Sequence, residues 1–509
     1  MNSAERLLGE AALARFGERV ALYCGEESVS YRALAERVQR VAGALAGYGV
    51  GRGDRVMFLM RDTPALAASW LGCLWRGAVA IALNDRLSED DYRFIRADCD
   101  ARLVIVEDEL RSMLPSFAAE LARDGRLVFT DSAVGGLPAW NSAIKSSKPM
   151  AAVATESGEA AFCLYSSGTT GRPKGMIHAH RDIDAAGEVF RAVVGLNPGD
   201  KVLATSRLFF AYGLEHGLLG PLSLGAASIL SPDWSDVHTV VRIIAEHTPT
   251  AVFSVPSVYR RLIALGAETL RPLRKVPFFF AAGERLPEST VTEWRRLVER
   301  EILSIYGTSE TLCVCMVTPA GTSTGSHTGR PLRNVEVKLL SAEGNEVAQG
   351  EPGVLWIKHP SLSIGYVNRA ELSREQFRDG WFCSKDVFVR DAHGFYQHQG
   401  RADDLIKVSG QWVRPDELEE VVLAAPTIAE AACVPVVDGE GFERLALFIV
   451  PRGKVDGALE TARAACEEQL PKHKRPKWIR AVDELPRTLT GKVQRFKLRA
   501  QLERELGKS

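Results

Sequence analysis

The chain has 509 residues, 46% of them hydrophobic and 25% charged, with a formal net charge of −1. That length exceeds what one hydrophobic core serves, so at least two domains are expected, and the near-neutral balance excludes a nucleic-acid binder working through bulk charge. Nine scattered cysteines without a Cys-x-x-Cys pair point to reduced thiols in a cytoplasmic protein with no zinc site or disulfide framework, and no apolar run reaches the length of a membrane span.

Residues 1–15 read as an amphipathic helix, Glu5, Arg6 and Glu10 interrupting a short apolar pattern, rather than as a signal peptide. Leu34, Val38, Val41, Leu45 and Tyr48 recur at helical spacing, which predicts a helix over 30–50 followed by a strand over 54–59. Helix 66–76 with strand 78–83, and helix 88–99 with strand 101–106, repeat the plan. Residues 131–157 turn to Ser, Lys, Gly and Pro, as in a linker or surface excursion. An apolar strand over 160–164 opens onto a polar loop over 165–175. Beyond it the chain alternates again: helix 182–194, strand 201–205, helix 237–246, strand 251–255, helix 256–265 opened by Pro256, strand 278–282, helix 288–299 and strand 301–304. Helix and strand at short intervals predict parallel sheets covered on both faces. Past Thr328, short strands over 336–340, 353–358, 388–390 and 394–398 suggest a small antiparallel β subdomain or barrel. A boundary at 400–404 leaves a second domain of ordinary size, with segments at 404–408, 414–424, 431–437, 444–450, 459–469 and 478–482. The expected fold class is therefore α/β, divided into domains 1–400 and 401–509.

The loop reads Tyr165, Ser166, Ser167, Gly168, Thr169, Thr170, Gly171, Arg172, Pro173, Lys174, Gly175. Glycines let a backbone approach an anion and turn successive N–H groups toward it, hydroxyls donate, and Lys174 adds a mobile positive charge, so the loop suits a polyphosphate. Its spacing is not that of the common nucleotide triphosphatase loop, because Arg172 and Pro173 separate Gly171 from Lys174 and Gly175 follows. A flexible surface turn is the plain alternative for so much Gly, Ser and Thr. The full string resembles the signature loop of the adenylate-forming superfamily, which includes acyl- and aryl-CoA ligases, peptide-synthetase adenylation domains and luciferases.

The resemblance implies ATP, Mg²⁺ and coenzyme A as cofactors and carries over to residues in order. Tyr306, Gly307, Thr308, Ser309 and Glu310 resemble the Tyr-Gly-x-Thr-Glu element, with the Tyr306 ring on adenine, hydroxyls on phosphate and Glu310 on Mg²⁺. Ser309 stands where Thr is usual. Ala282, Gly283 and Glu284 resemble the turn lining adenine and the acyl pocket. Asp386 takes the place of the ribose-binding Asp, with Ser384 and Lys385 where Thr-Gly is usual; by itself it would read as a turn Asp. Arg401 would reach the ribose or α-phosphate. Asp403 matches the hinge of a mobile C-terminal lid domain, Lys407 and Gly410 a strand and turn facing a narrow tunnel, and Lys492, after Pro486 to Gly491, the lysine contacting carboxylate and α-phosphate. In the family that domain swings between the two half-reactions, exchanging the Lys492 loop for the Lys407 face.

The segment Leu208, Phe209, Phe210, Ala211, Tyr212, Gly213 looks like that of benzoate-CoA ligases and close aryl-CoA ligases. It has no acid from Arg207 to Leu214, against an amino-acid substrate. Phe210 and Tyr212 would wall a short flat slot, core packing being the alternative. Cys313, where benzoate-type relatives tend to have His, and Val314 complete the pocket, so a hydroxy- or aminobenzoate or related ring acid is admitted. Arg475 and Lys477, with Lys472 and Lys474, suit the phosphates of coenzyme A, and a solvated basic face is an equal reading. The expected activity is an AMP-forming aryl-CoA ligase. Its alternatives are an aryl-adenylating enzyme loading a carrier protein and a non-catalytic nucleotide sensor. No nucleic-acid or membrane partner is expected, and a homodimer is left open.

Overall fold

The structure is a computed structural model and describes residues 2–167, 172–233, 236–325, 327–402, 406–408, 411–413, 415–439, 441–487 and 493–506. The chain divides into two units, one of Met1–Lys338, Trp356–Ser384 and Arg390–Gln397, the other of Leu339–Leu355, Lys385–Val389 and His398–Ser509. The second unit thus joins two earlier pieces to the stretch from His398 onward.

In the first unit the short apolar runs form two sheets. One has seven strands in the order Gly365–Tyr366, Pro173–Ala179, Ala160–Ser167, Val79–Ala82, Arg55–Leu59, Leu103–Val106 and Leu127–Phe129. From Ala160–Ser167 onward the pairs are parallel, and the first three strands pair antiparallel. The other has nine strands, its parallel centre being Ile302–Tyr306, Phe278–Ala281, Ala251–Ser254, Lys201–Ala204, Ala227–Leu230 and Val20–Cys24. Helices cover the sheets, so these strands are apolar on both faces, as Val56 to Leu59 show by being wholly buried. The helix Tyr31–Gly47, capped by the Ser30 hydroxyl accepting the Ala33 N–H, packs on Pro64–Trp75. A side chain at Gly72 would overlap Val41, so glycine sets that close approach.

Several local readings change. Residues 131–157 are more than a surface excursion: the helix Trp140–Ser146 buries Trp140, whose indole N–H donates to Ser69 Oγ at 3.0 Å. The single helix expected over 182–194 is a 3-10 helix His180–Gly187 and a π turn Phe190–Val194. The hairpin Val20–Cys24 with Glu27–Ser30 and the strand Ala227–Leu230 were not marked by the apolar pattern. The antiparallel subdomain is present as a five-stranded sheet of Glu336–Leu340, Pro352–Lys358, Phe377–Arg378, Trp381–Arg390 and Tyr396–Arg401.

In the second unit, Ile428–Val437 pairs antiparallel with Glu443–Pro451, which pairs parallel with Trp478–Ala481. Alternate residues face opposite sides. Cys433 and Leu447 pack with Leu418, Val422, Ala462 and Cys466 of the helices Pro415–Leu423 and Val455–Gln469, whereas Ala432, Val434 and Phe448 pack with Leu498 and Leu502 of Arg495–Leu506. This last helix was hidden in the sequence by its basic residues. No described helix is long and apolar enough to cross a membrane.

Candidate active site

The phosphate candidates sit on a hairpin rather than a long loop. Ala160–Ser167 and Pro173–Ala179 pair antiparallel with Ser166 opposite Lys174 and Ser167 opposite Pro173, so the strands extend into the expected loop from both ends. Tyr165 is turned inward, its hydroxyl donating to Asp98 Oδ2 at 2.9 Å, and a side chain at Gly175 would stand 2.7 Å from that ring. Gly168, Thr169 and Thr170 lie outside the described residues.

Lys174 is fixed by the metal candidate. Its Nζ donates to Glu310 Oε1 at 2.9 Å and lies 4.7 Å from the Tyr366 ring centroid, and the Tyr366 hydroxyl donates to the same carboxylate oxygen at 2.8 Å. Burial pushes the Glu310 carboxyl up, but the Lys174 charge and these hydrogen bonds outweigh it and hold the group below the usual carboxylate range. A lone ionised carboxylate fits Mg²⁺, which takes one or two carboxylates and completes its shell with phosphate and water. Among the described residues no cluster of three metal-binding side chains exists.

Parallel strand order explains how the nucleotide candidates meet. Phe278–Ala281 lies beside Ile302–Tyr306 with Ala281 opposite Ser304, so Ala282, Gly283 and Glu284 leave the sheet at the same edge as Gly307 to Glu310. Ligands of parallel α/β sheets bind at such carboxyl ends. Gly283 has φ +84°, a left-handed turn suited to glycine, and Glu284 Oε2 accepts the Ser257 N–H at 3.2 Å. Tyr306 is half-buried. The turn after it is tied by Thr308 N donating to Thr311 Oγ1 at 3.1 Å and Thr311 N donating to Thr308 Oγ1 at 3.3 Å.

A residue missed in the sequence joins this turn to the hairpin. His178 Nε2 donates to the Ser309 carbonyl at 2.8 Å, while Nδ1 stands 2.9 Å from Asp182 Oδ2, and both side chains are fully buried. The i,i+4 spacing of His178 and Asp182 was the available signal.

The acyl candidates also converge. Tyr212 is the second residue of the helical run Ala211–Leu214 and Glu215–Leu219, and its hydroxyl donates to the Ser254 carbonyl at 3.0 Å. Phe210 is half-buried against Phe209, ring centroids 4.5 Å apart. A side chain at Gly213 would overlap the Arg207 carbonyl, so only glycine fits. The buried Cys313 and Val314 are reached by Glu215, whose Oε1 accepts the Val314 N–H at 3.2 Å. Burial pushes the Glu215 carboxyl well up, against the pull of its hydrogen bonds. Sequence reading missed Glu215 because its partner lies 99 residues away. Upstream, Asp62 Oδ2 accepts the Leu208 N–H at 3.1 Å and lies 3.7 Å from Arg207 Nη1, anchoring the start of the segment.

The second unit holds the remaining candidates. The buried Asp386 accepts from Arg401 Nη1 at 3.3 Å and stands 3.5 Å from His398 Nε2. Lys385 has φ +59°, the left-handed conformation of a glycine, at the position where the resemblance expects glycine. Lys407 is opposite Trp412 in the hairpin Ile406–Val408 with Gln411–Val413. Asp403, Gly410 and Lys492 lie outside the described residues. Arg475 donates to the Leu470 carbonyl at 2.9 Å near the end of Val455–Gln469, and Lys477 Nζ donates to Asp438 Oδ2 at 2.9 Å. Both cations therefore have structural partners as well as exposure to solvent.

The chain matches the family model of AMP-binding enzymes over residues 9–367 and that of the AMP-binding enzyme C-terminal domain over residues 417–492. It is 38% identical to a 3-hydroxybenzoate–CoA/4-hydroxybenzoate–CoA ligase of Thauera aromatica, over 99% of this chain and 98% of the relative. Among solved structures it is similar to the anthranilate CoA ligase AuaEII in complex with anthranoyl-AMP, with a TM-score of 0.88, 29% identity and coverage of 100% of this chain and 98% of the other. A benzoate CoA ligase from Burkholderia xenovorans LB400 gives a TM-score of 0.86 at 31% identity, covering 98% of this chain and 100% of the other.

Proposed function

Because the chain belongs to the AMP-binding enzyme family, we propose that it is an aryl-CoA ligase, which adenylates a small aromatic carboxylic acid with ATP and then forms its thioester with coenzyme A. The observation that carries the reading is the 2.9 Å ion pair from Lys174 to Glu310, which joins the phosphate hairpin to the Tyr306–Glu310 element beside an aromatic-lined segment.

The first half-reaction is a problem of like charges. A carboxylate oxygen attacks the α-phosphorus, the bond to the pyrophosphate oxygen breaks, and a mixed anhydride of the acid and AMP results. Hairpin N–H groups and hydroxyls, Lys174 and Lys492 offset the repulsion between carboxylate and triphosphate and hold an in-line approach. Glu310 would hold Mg²⁺, which supplies positive charge to the phosphate oxygens. Asp386 offers an acceptor for two ribose hydroxyls. In the second half-reaction the thiolate sulfur attacks the acyl carbon and AMP leaves, with Lys407 assigned to this step. Phe210, Tyr212, Cys313 and Val314 enclose the ring, and Arg475 and Lys477 share their charge with phosphates of coenzyme A. Such a reaction belongs in the cytoplasm, where ATP and coenzyme A are available.

Incubation of the purified chain with ATP, Mg²⁺, coenzyme A and a panel of small aromatic acids should release AMP and pyrophosphate and yield an aryl thioester. Pyrophosphate release without a thioester of free coenzyme A would favour a carrier protein as acceptor, and no release with any ring acid would remove the assignment.

A further inference from the structure

Two donors share one oxygen of the metal candidate: Lys174 Nζ stands 2.9 Å from Glu310 Oε1, and the Tyr366 hydroxyl 2.8 Å from the same atom. They differ in freedom. Tyr366 is buried in the short strand Gly365–Tyr366, which pairs with Pro173–Ala179 with Tyr366 opposite Met176. Its backbone N–H donates to Ser373 Oγ at 3.0 Å, its ring meets that of Phe377 edge-on at 5.5 Å between centroids, and the Gln376 side-chain amide touches its hydroxyl. A phenol has one proton, which the ionised carboxylate takes, so an amide turned with its NH2 group toward the phenol oxygen satisfies all three groups. Lys174, by contrast, ends a flexible four-carbon stem and keeps 27% of its side chain exposed, against 10% for Glu310. Its Nζ lies 3.5 Å from the Tyr366 hydroxyl oxygen and 4.7 Å from the ring centroid, so the same residue borders both members of the ion pair.

Lysine is thus the member of the trio that can leave. A triphosphate on the hairpin attracts its ammonium, and Glu310 without Lys174 is a buried carboxylate lacking a cation. A divalent cation arriving with the triphosphate restores the charge balance, provided the carboxylate has kept its place. The phenol, fixed by its strand and by Gln376, stays bonded to Oε1 whichever cation is present. We propose that Tyr366 is a positioning residue for the metal: its hydroxyl holds Glu310 Oε1 while Lys174 turns from the carboxylate to the phosphates, so that Mg²⁺ meets a carboxylate already in place. The inference rests on the aryl-CoA ligase reading and on Glu310 as its metal residue. Hydrogen bonds behind a metal-binding side chain typically contribute about 10- to 100-fold in metal affinity.

The test is calorimetric titration of the full-length chain with α,β-methylene-ATP, which cannot release pyrophosphate, with and without Mg²⁺ and in the absence of any acid. In the wild type Mg²⁺ should tighten binding. Tyr366→Phe should lose about 10- to 100-fold of the affinity measured with Mg²⁺ and leave the metal-free affinity as it was. In steady-state turnover the variant should need more Mg²⁺ for half-maximal rate, with KM for the aromatic acid unchanged. Gln376→Leu, which keeps the phenol and removes its support, should show the same pattern more weakly, and it carries the test if Tyr366→Phe does not fold. An equal loss with and without Mg²⁺, or no loss, would show a packing role only and overturn the inference. A wild type whose nucleotide binding ignores Mg²⁺ would remove the metal role of Glu310 and the inference with it, while AMP release with an aromatic acid would leave the ligase reading standing. No turnover of any aromatic acid, with the Mg²⁺-dependent pattern intact, would remove the ligase reading and leave Tyr366 its role.

Discussion

Lys174 Nζ and Glu310 Oε1, 136 residues apart in sequence, meet at 2.9 Å. The cation proposed for phosphate and the anion proposed for the metal therefore hold each other in position. Lys174→Met would leave Glu310 as a buried charge without its cation, and should lower stability by about 2 to 3 kcal/mol. Lys174→Met with Glu310→Gln should recover part of that loss and still fail to adenylate. Thermal melts of the wild type, both single variants and the double variant check this through the sign of the coupling.

Gly213→Ala tests the entrance to the acyl segment. Alanine is normally favoured over glycine within a helical turn, by about 1 kcal/mol. Here its methyl would overlap the Arg207 carbonyl, so the expected sign reverses. A loss of about 2 kcal/mol with a raised KM for the aromatic acid is expected, measured by denaturant titration and steady-state kinetics.

Asp62 gives a pH dependence. Burial pushes its carboxyl up to about 7, against the pull of Arg207. Between the ordinary value near 3.8 and about 7 the folded chain binds the extra proton, so this group makes stability fall as pH rises through that window, and its effect levels off above it. Asp62→Asn keeps an acceptor for the Leu208 N–H and removes the titration. The melting temperature of the variant should decline less than that of the wild type from pH 5 to pH 7.

Lys385 occupies the left-handed region at φ +59°. Lys385→Gly should relieve that strain and raise stability by about 0.5 to 1 kcal/mol, less whatever the freer unfolded chain takes back. A lower melting temperature in the variant would mean that the lysine side chain contributes more than its backbone costs.

Lys492→Ala should cost adenylation about 3 to 4 kcal/mol, a factor of some hundreds, by analogy with other positioned charge donors. Thioester formation from supplied aryl-adenylate should persist. Equal loss in both half-reactions would contradict the division of labour between Lys492 and Lys407.

The α/β alternation was legible because burial writes a period into sequence. Leu34, Val38, Val41 and Leu45 mark one buried helix face, and Val56 to Leu59 a strand buried on both sides. The hairpin around Ser166 and Lys174 was read as loop because Gly, Ser and Thr signal turns, while the pairing that makes strands of its flanks is a property of two segments together. Trp140 and Leu498 were hidden by polar surroundings. Contacts defined by a distant partner had no motif to mark them. Glu215 with Val314, His178 with Ser309 and Asp62 with Leu208 are contacts that no local pattern encodes.

The strand pair Ile428–Val437 and Glu443–Pro451 is sealed on one face by Pro415–Leu423 and Val455–Gln469 and on the other by Arg495–Leu506. Among the described residues, the layers that exclude water from it are encoded within one contiguous stretch. Val413 belongs to the same core, so such a module begins with the hairpin of Ile406–Val408 and Gln411–Val413; calorimetry of the whole chain should resolve a separate endotherm for it, and an excised fragment beginning just before Ile406 should fold autonomously.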